Sequence, residues 1–167
     1  ILSHQMSSLH KNSIDPSFIT SLRNTLDGEV HFDEITRTLY STDASNYQIE
    51  PVGVVVPKND DDVAKTIELA SKYGVSILPR GSGSSLAGQA VGEALIVDLS
   101  KYLNQILEIN PAEKTVRVQS GMFLEQLNRE LKQHGLMFGP DPSSARIATI
   151  GGVVGNNATG ARSILYG

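Results

Sequence analysis

Residues 51–89 read PVGVVVPKNDDDVAKTIELASKYGVSILPRGSGSSLAGQ, and the fold turns on this stretch. It opens on Pro51-Val52-Gly53-Val54-Val55-Val56-Pro57, a short β-branched run bounded by prolines, which favours a buried strand over a helix. Asp60 is then placed to cap a helix in which Val63, Ile67, Ala70 and Tyr73 share one face, before Gly74 supplies a left-handed stop. Val75-Ser76-Ile77-Leu78-Pro79 reads as a second strand. Strand, helix and strand with this connection length imply a parallel, right-handed βαβ unit. The run Arg80-Gly81-Ser82-Gly83-Ser84-Ser85-Leu86-Ala87-Gly88-Gln89 therefore leaves a strand end.

Downstream, Ala94 to Leu99 form a third buried strand, and Ile106 to Ile109 pair with Thr115 to Val118 in a hairpin turning at Asn110-Pro111. Leu124, Leu127 and Leu131 line one face of a helix closed by His134-Gly135. Upstream, Asp15-Pro16 starts a helix carrying Phe18, Ile19, Leu22 and Leu26, with Asp27-Gly28 at its end. The expected class is α+β.

At 167 residues the chain has the size of one domain, large enough to enclose a core without disulfides or metals. Its 40% hydrophobic and 19% charged residues place it among ordinary globular proteins. A net charge of -4 argues against a nucleic-acid partner, since that binding depends on Lys and Arg displacing counterions. With no cysteine, disulfides, a thiolate nucleophile and an iron-sulfur cluster ligated from this chain are excluded. His4, His10, His31 and His134 show no metal-ligand spacing. No apolar run approaches the roughly 18 residues of a membrane span and no signal segment opens the chain, so a cytoplasmic location is expected. Asn157-Ala158-Thr159 is a glycosylation sequon without consequence in that compartment.

Two segments can carry chemistry. In the first, Pro79 to Gln89, glycines and hydroxyls follow a strand directly, so backbone amides can converge on an anion. A Gly/Ser-rich turn on its own is more often a plain connection. The segment is not a P-loop, because no Lys follows its glycines. It is not the dinucleotide turn G-x-G-x-x-G either: Leu86 stands at the third glycine position, and an NAD-type site requires a helix running on from Ser84. The second segment is Gly139-Pro140-Asp141-Pro142-Ser143-Ser144 with Ala148-Thr149-Ile150-Gly151-Gly152-Val153-Val154-Gly155-Asn156-Asn157-Ala158-Thr159-Gly160. So few bulky side chains let backbone approach a flat ligand, with Thr149, Asn156 and Asn157 offering hydrogen bonds; a tight helix-packing seam is the competing reading.

Taken together, Pro79 to Gln89, Pro140 to Gly160 and the closing Arg162-Ser163-Ile164-Leu165-Tyr166-Gly167 resemble the vanillyl-alcohol-oxidase-type, or PCMH-type, FAD-binding family. Within it the likeness is to D-lactate, glycolate and D-2-hydroxyglutarate dehydrogenases, and Tyr40-Ser41-Thr42-Asp43-Ala44-Ser45 adds to it. The likeness runs from about residue 15 to the end.

The resemblance implies an N-terminal tail over 1–14, with residues 1–5 ahead of Met6 compatible with an expression remnant, and a helical segment over 15–50. From 51 to 167 it implies the N-terminal part of an FAD-binding domain: a βαβ-containing first subdomain to about 100, then the start of a second, mixed or antiparallel one. By similarity, Gly81, Ser82, Gly83, Ser84 and Ser85 hold the FAD diphosphate. Pro140, Asp141, Ala148, Thr149, Gly151, Gly152, Asn157 and Gly160 line the diphosphate, ribityl chain and flavin. Arg80 neutralises the diphosphate, forms a structural ion pair or braces carbonyls, and Asp141 either lines the site or caps a following helix. Binding is expected to be non-covalent, because the first loop has neither His nor Cys.

The implied parent is a flavin-dependent oxidoreductase acting on the CH-OH of a small 2-hydroxy acid. Its electrons pass to a quinone, cytochrome, flavoprotein or an iron-sulfur cluster in a downstream region, and membrane association is at most peripheral through the parent. The catalytic base belongs to a later cap domain, so no catalytic residue is expected in this segment, and the segment alone is expected to be inactive. The alternative is a stand-alone, non-catalytic FAD- or nucleotide-binding module.

Overall fold

The computed structural model describes residues 14–166. Helix α1 (Pro16–Thr25) starts as its sequence requires: the Asp15 side chain accepts from the Ser17 amide at 2.8 Å and Pro16 occupies the first turn. It stops at extended Leu26, just before Asp27-Gly28. Then follow β1 (Glu29–His31), α2 (Glu34–Leu39), β2 (Gly53–Val56), α3 (Asp60–Tyr73), β3 (Ile77–Arg80) and β4 (Leu95–Asp98). The four strands form one sheet in the order β1-β2-β4-β3. β2 and β3 both run parallel to β4, which lies between them, so the expected βαβ unit exists with the third strand inserted into it. β1 joins antiparallel at the β2 edge; three mixed residues carry no strand pattern, and the sequence reading had only helix in this region.

Two expectations for α3 are corrected. Its cap is Asn59, whose side chain accepts from the Asp62 amide at 2.8 Å, rather than Asp60. Its buried face is Asp62, Thr66 and Ala70, whereas Ile67 is 53% exposed. Polar bonds turn the helix this way. The Asp62 carboxylate accepts from the Asp27 amide at 3.0 Å and the Lys58 amide at 2.9 Å, and Thr66 Oγ1 donates to the Asp62 carbonyl at 2.7 Å. A buried carboxylate must find donors, and one that accepts from two part-buried amides outweighs one exposed Ile. α1 packs across α3, with the Phe18 ring 5.2 Å from Tyr73 and edge-on to Phe32 at 6.4 Å. Gly74 ends α3 in the left-handed region at φ 66° as expected.

The second half begins with the antiparallel hairpin β5 (Ile106–Asn110) and β6 (Thr115–Val118), bulged between Ile106 and Glu108. Helix α4 (Leu124–Leu131) buries Leu124, Leu127 and Leu131, then tightens into a 3-10 turn ending at Gly135, φ 68°. Helices α5 (Ile150–Gly155) and α6 (Ser163–Tyr166) complete it. One apolar core lies where α1 and α3 meet the four-stranded sheet. Another, built on Met122, Leu127 and Leu131, lies between α4 and the hairpin. Among the described residues no helix is long and apolar enough to cross a membrane.

The β1 edge carries one titration that stability should report. Lys101 Nζ and Tyr102 OH both donate to Glu29, and His31 Nε2 lies 3.2 Å from it. The Lys101 bond first, then that of Tyr102, hold the Glu29 carboxyl down to about 2 from its ordinary 4.5. A carboxyl depressed in the folded state contributes fully above its unfolded value and loses that contribution as pH falls through its folded one. Urea unfolding midpoints should therefore fall between pH 4.5 and about 2, and Glu29→Gln should flatten that limb. An unchanged acid limb in the variant contradicts the assignment.

Candidate functional site

β3 and β4 run parallel and end side by side at Arg80 and Asp98. Ligands of open sheets sit beyond such carboxyl ends. There, a cleft of about 600 Å³ opens between the first loop and α5. Arg80, Gly81, Ser82, Gly83, Ser84 and Ser85 line it from one side, and Ala148, Thr149, Gly151 and Gly152 from the other. Gly81 and Thr149, 68 residues apart in sequence, thus line one cleft. Ser120 and Leu99, which no local signal marks, also line it.

Pro140, Asp141, Asn157 and Gly160 stand outside the lining. They shape the second segment instead: a Cβ on Gly160 would overlap the Asp141 carbonyl, and Asn157 takes a left-handed φ of 46°, a region that Asn tolerates. Asp141 caps no helix, because residues 143–147 form a turn; its carboxylate lies 3.6 Å from Arg162 Nε. No helix runs on from Ser84 either, so the feature an NAD-type turn requires is missing.

The two segments touch at Gly81 and Thr149, where a Cβ on Gly81 would overlap Thr149 Oγ1. Thr149 is 2% exposed and caps α5, its Oγ1 accepting from the Gly152 amide at 3.3 Å. The other early amides of α5 are also used: Ile150 donates to Met122 O, Gly151 to Ser120 O and Val153 to Thr149 O. The first loop differs. Among the described residues, no group accepts from the amides of Gly81, Ser82, Gly83, Ser84 or Ser85. Five successive N–H groups at a cleft, one of them on Gly83 at φ 72°, are the chemistry of an anion nest. The facing wall of Ala148, Gly151 and Gly152 offers flat, small-residue contact.

Arg80 is spent largely on carbonyls. Its Nη1 donates to Tyr40 O at 3.2 Å and Ala90 O at 2.8 Å, its Nη2 to Thr42 O at 2.8 Å, and its guanidinium lies 5.2 Å from the Tyr40 ring centre. Of the three roles open to it, bracing is the one these contacts describe. Tyr40 in turn donates to Asp98 Oδ2 at 2.6 Å; burial, then this carboxylate, push the phenol above its ordinary value. The Tyr40–Asp98 pair went unread in the sequence, although an acid closing an apolar strand was its one visible trace.

No group of three or more His, Cys, Asp or Glu that could hold a metal occurs among the described residues; His4 and His10 lie outside them.

The model of an FAD-binding domain family matches residues 51–167. The chain belongs to that family. It is 41% identical over 167 residues to a D-2-hydroxyglutarate dehydrogenase of Pseudomonas putida, covering 98% of this chain and 17% of that protein. With a glycolate oxidase subunit of Bacillus subtilis the identity is 40% over 144 residues, covering 84% and 31%. Among solved structures, an alkyldihydroxyacetonephosphate synthase superposes with a TM-score of 0.82 at 25% identity, covering 92% of this chain and 31% of that one. The chain spans about an eighth to a third of the length of the curated relatives that it matches.

Proposed function

We propose that the chain holds FAD non-covalently, as the N-terminal part of a flavin-dependent oxidoreductase that oxidises a small 2-hydroxy acid. The observation that carries this reading is the row of five amides from Gly81 to Ser85, without acceptors among the described residues, at the mouth of a cleft whose opposite wall is small and flat. Those amides and the Ser82 and Ser84 hydroxyls suit a diphosphate, the Ser85 hydroxyl being bonded to Gln89; Ala148, Thr149, Gly151 and Gly152 suit the flat part of the cofactor. Arg80 adds positive charge at the edge, and Pro140, Asp141, Asn157 and Gly160 hold the second segment on its path. Once bound, the flavin supplies acceptance of two electrons.

The reaction needs a group to take the hydroxyl proton. Among the described residues the cleft is lined by no imidazole, carboxylate or phenol, which supports placing that base and the substrate carboxylate's partners in a separate cap domain. We read 51–100 as a first subdomain and 101–167 as the start of a second, in support of which the apolar cluster of Val54, Val56 and Ile96 falls in one and that of Met122, Leu127 and Leu131 in the other. The 2-hydroxy acid is inferred from what the relatives are named for. A cytoplasmic setting, and an acceptor that is a quinone, a cytochrome, a flavoprotein or a downstream iron-sulfur cluster, complete the reading.

Purified intact protein is expected to show oxidised-flavin absorbance that denaturation releases into solution and that a D-2-hydroxy acid bleaches. Colourless protein that cannot be reconstituted with FAD overturns the reading. Released flavin that no 2-hydroxy acid bleaches favours a non-catalytic FAD-binding module instead.

A further inference from the structure

We infer that residues 40–48 form a strap that holds the first loop in its ligand-ready shape, with Asp43 and Arg80 as positioning residues for the bound cofactor. The inference rests on the FAD reading of the cleft. The strap is itself a closed turn: Thr42 bridges to Gln48, the Ile49 amide donates to Ser41 O at 2.9 Å, and the Ser45 amide donates to Asp43 Oδ1 at 2.8 Å.

From this turn, contacts reach both ends of the loop. At its start, Arg80 gathers the Tyr40, Thr42 and Ala90 carbonyls onto one guanidinium. At its middle, the Ala44 amide donates to Gly83 O at 2.9 Å. At its far end, Asp43 Oδ2 accepts from the Ala90 amide at 3.3 Å, and the Tyr47 ring packs so closely on Gly88 that a Cβ there would lie 2.6 Å from it.

The bond to Gly83 O has a directional consequence. In a trans peptide the carbonyl of one residue and the N–H of the next point opposite ways, and the described chain has no cis bond. With Gly83 O turned onto the strap, the Ser84 N–H points away from it, and among the described residues that amide has no acceptor. The strap therefore aims a loop donor, and its hydrogen bonds meet the cleft lining at Arg80, Gly83 and Ala90.

The test is FAD titration of the intact apo-protein, with thermal melting of the same apo-protein alongside. Asp43→Ala removes the acceptor of two amides and is expected to raise the FAD Kd about tenfold. Asp43→Asn, which keeps one carbonyl oxygen, should fall between it and wild type, and Tyr47→Ala should weaken binding about threefold. If Asp43→Ala also lowers the apo melting point by more than about 4 °C, the exposed Tyr47 variant decides by the same criterion. FAD affinities within twofold of wild type overturn the strap. Wild-type protein that takes up no FAD instead overturns the cofactor reading, and the strap's role with it.

Discussion

Gly81→Ala is expected to empty the cofactor cleft. The new methyl lands on Thr149 Oγ1, with Thr149 Cγ2 and Cβ at 3.2 and 3.3 Å. Thr149 is 2% exposed and caps α5, so it has little room to retreat. Overpacking of this kind costs about 1–3 kcal/mol, and pushing the cap out of place adds about 1 kcal/mol. Either the first loop or α5 must move, and both line the cleft. FAD affinity in the intact protein should fall on the order of 100-fold, equivalent to about 2.7 kcal/mol. The double variant Gly81→Ala/Thr149→Ala supplies the control. It removes Oγ1 and Cγ2 and leaves the Thr149 Cβ contact at 3.3 Å, which a shift of a few tenths of an ångström relieves. It should therefore bind FAD better than Gly81→Ala alone, with a coupling of about 1–2 kcal/mol. Simple addition of the two single losses contradicts the direct contact.

Asp62→Ala is expected to produce the largest loss of stability among single changes away from the cleft. Asp62 is 1% exposed and accepts from the Asp27 and Lys58 amides. Together these bonds tie the start of α3 to both the turn after α1 and the end of β2. Removing the carboxylate leaves two part-buried amides without their protein acceptor, at a cost of about 2–4 kcal/mol. For a chain of this size that lowers the melting midpoint by roughly 10 °C. Lys65→Ala, on the exposed side of the same helix, should stay within about 0.5 kcal/mol. Equal effects of the two changes contradict the assigned role of Asp62.

Much of the architecture was legible along the chain because its causes are local. Bounding prolines and β-branched residues mark β2, the left-handed turns at Gly74 and Gly135 end their helices, and the Leu124, Leu127, Leu131 spacing marks the inner face of α4. The Gly/Ser run after β3 and the small-residue run from Ala148 were likewise visible as letters, and so was the family likeness they carry together. What stayed hidden depends on partners far apart in sequence. Nothing local says that β4 slots between β2 and β3, or that α3 turns Asp62 inward and leaves Ile67 out. Nor does it show that Arg80 spends its donors on the Tyr40, Thr42 and Ala90 carbonyls. The five amides of the first loop were present in the sequence as backbone common to any loop. Only the folded chain, by pressing Gly81 onto Thr149 and tying Gly83 O to Ala44, leaves them beside a cleft without acceptors among the described residues. Local propensity sets φ and periodicity, whereas hydrogen-bond satisfaction is settled over the whole fold, because every buried donor must find its acceptor wherever the chain brings one.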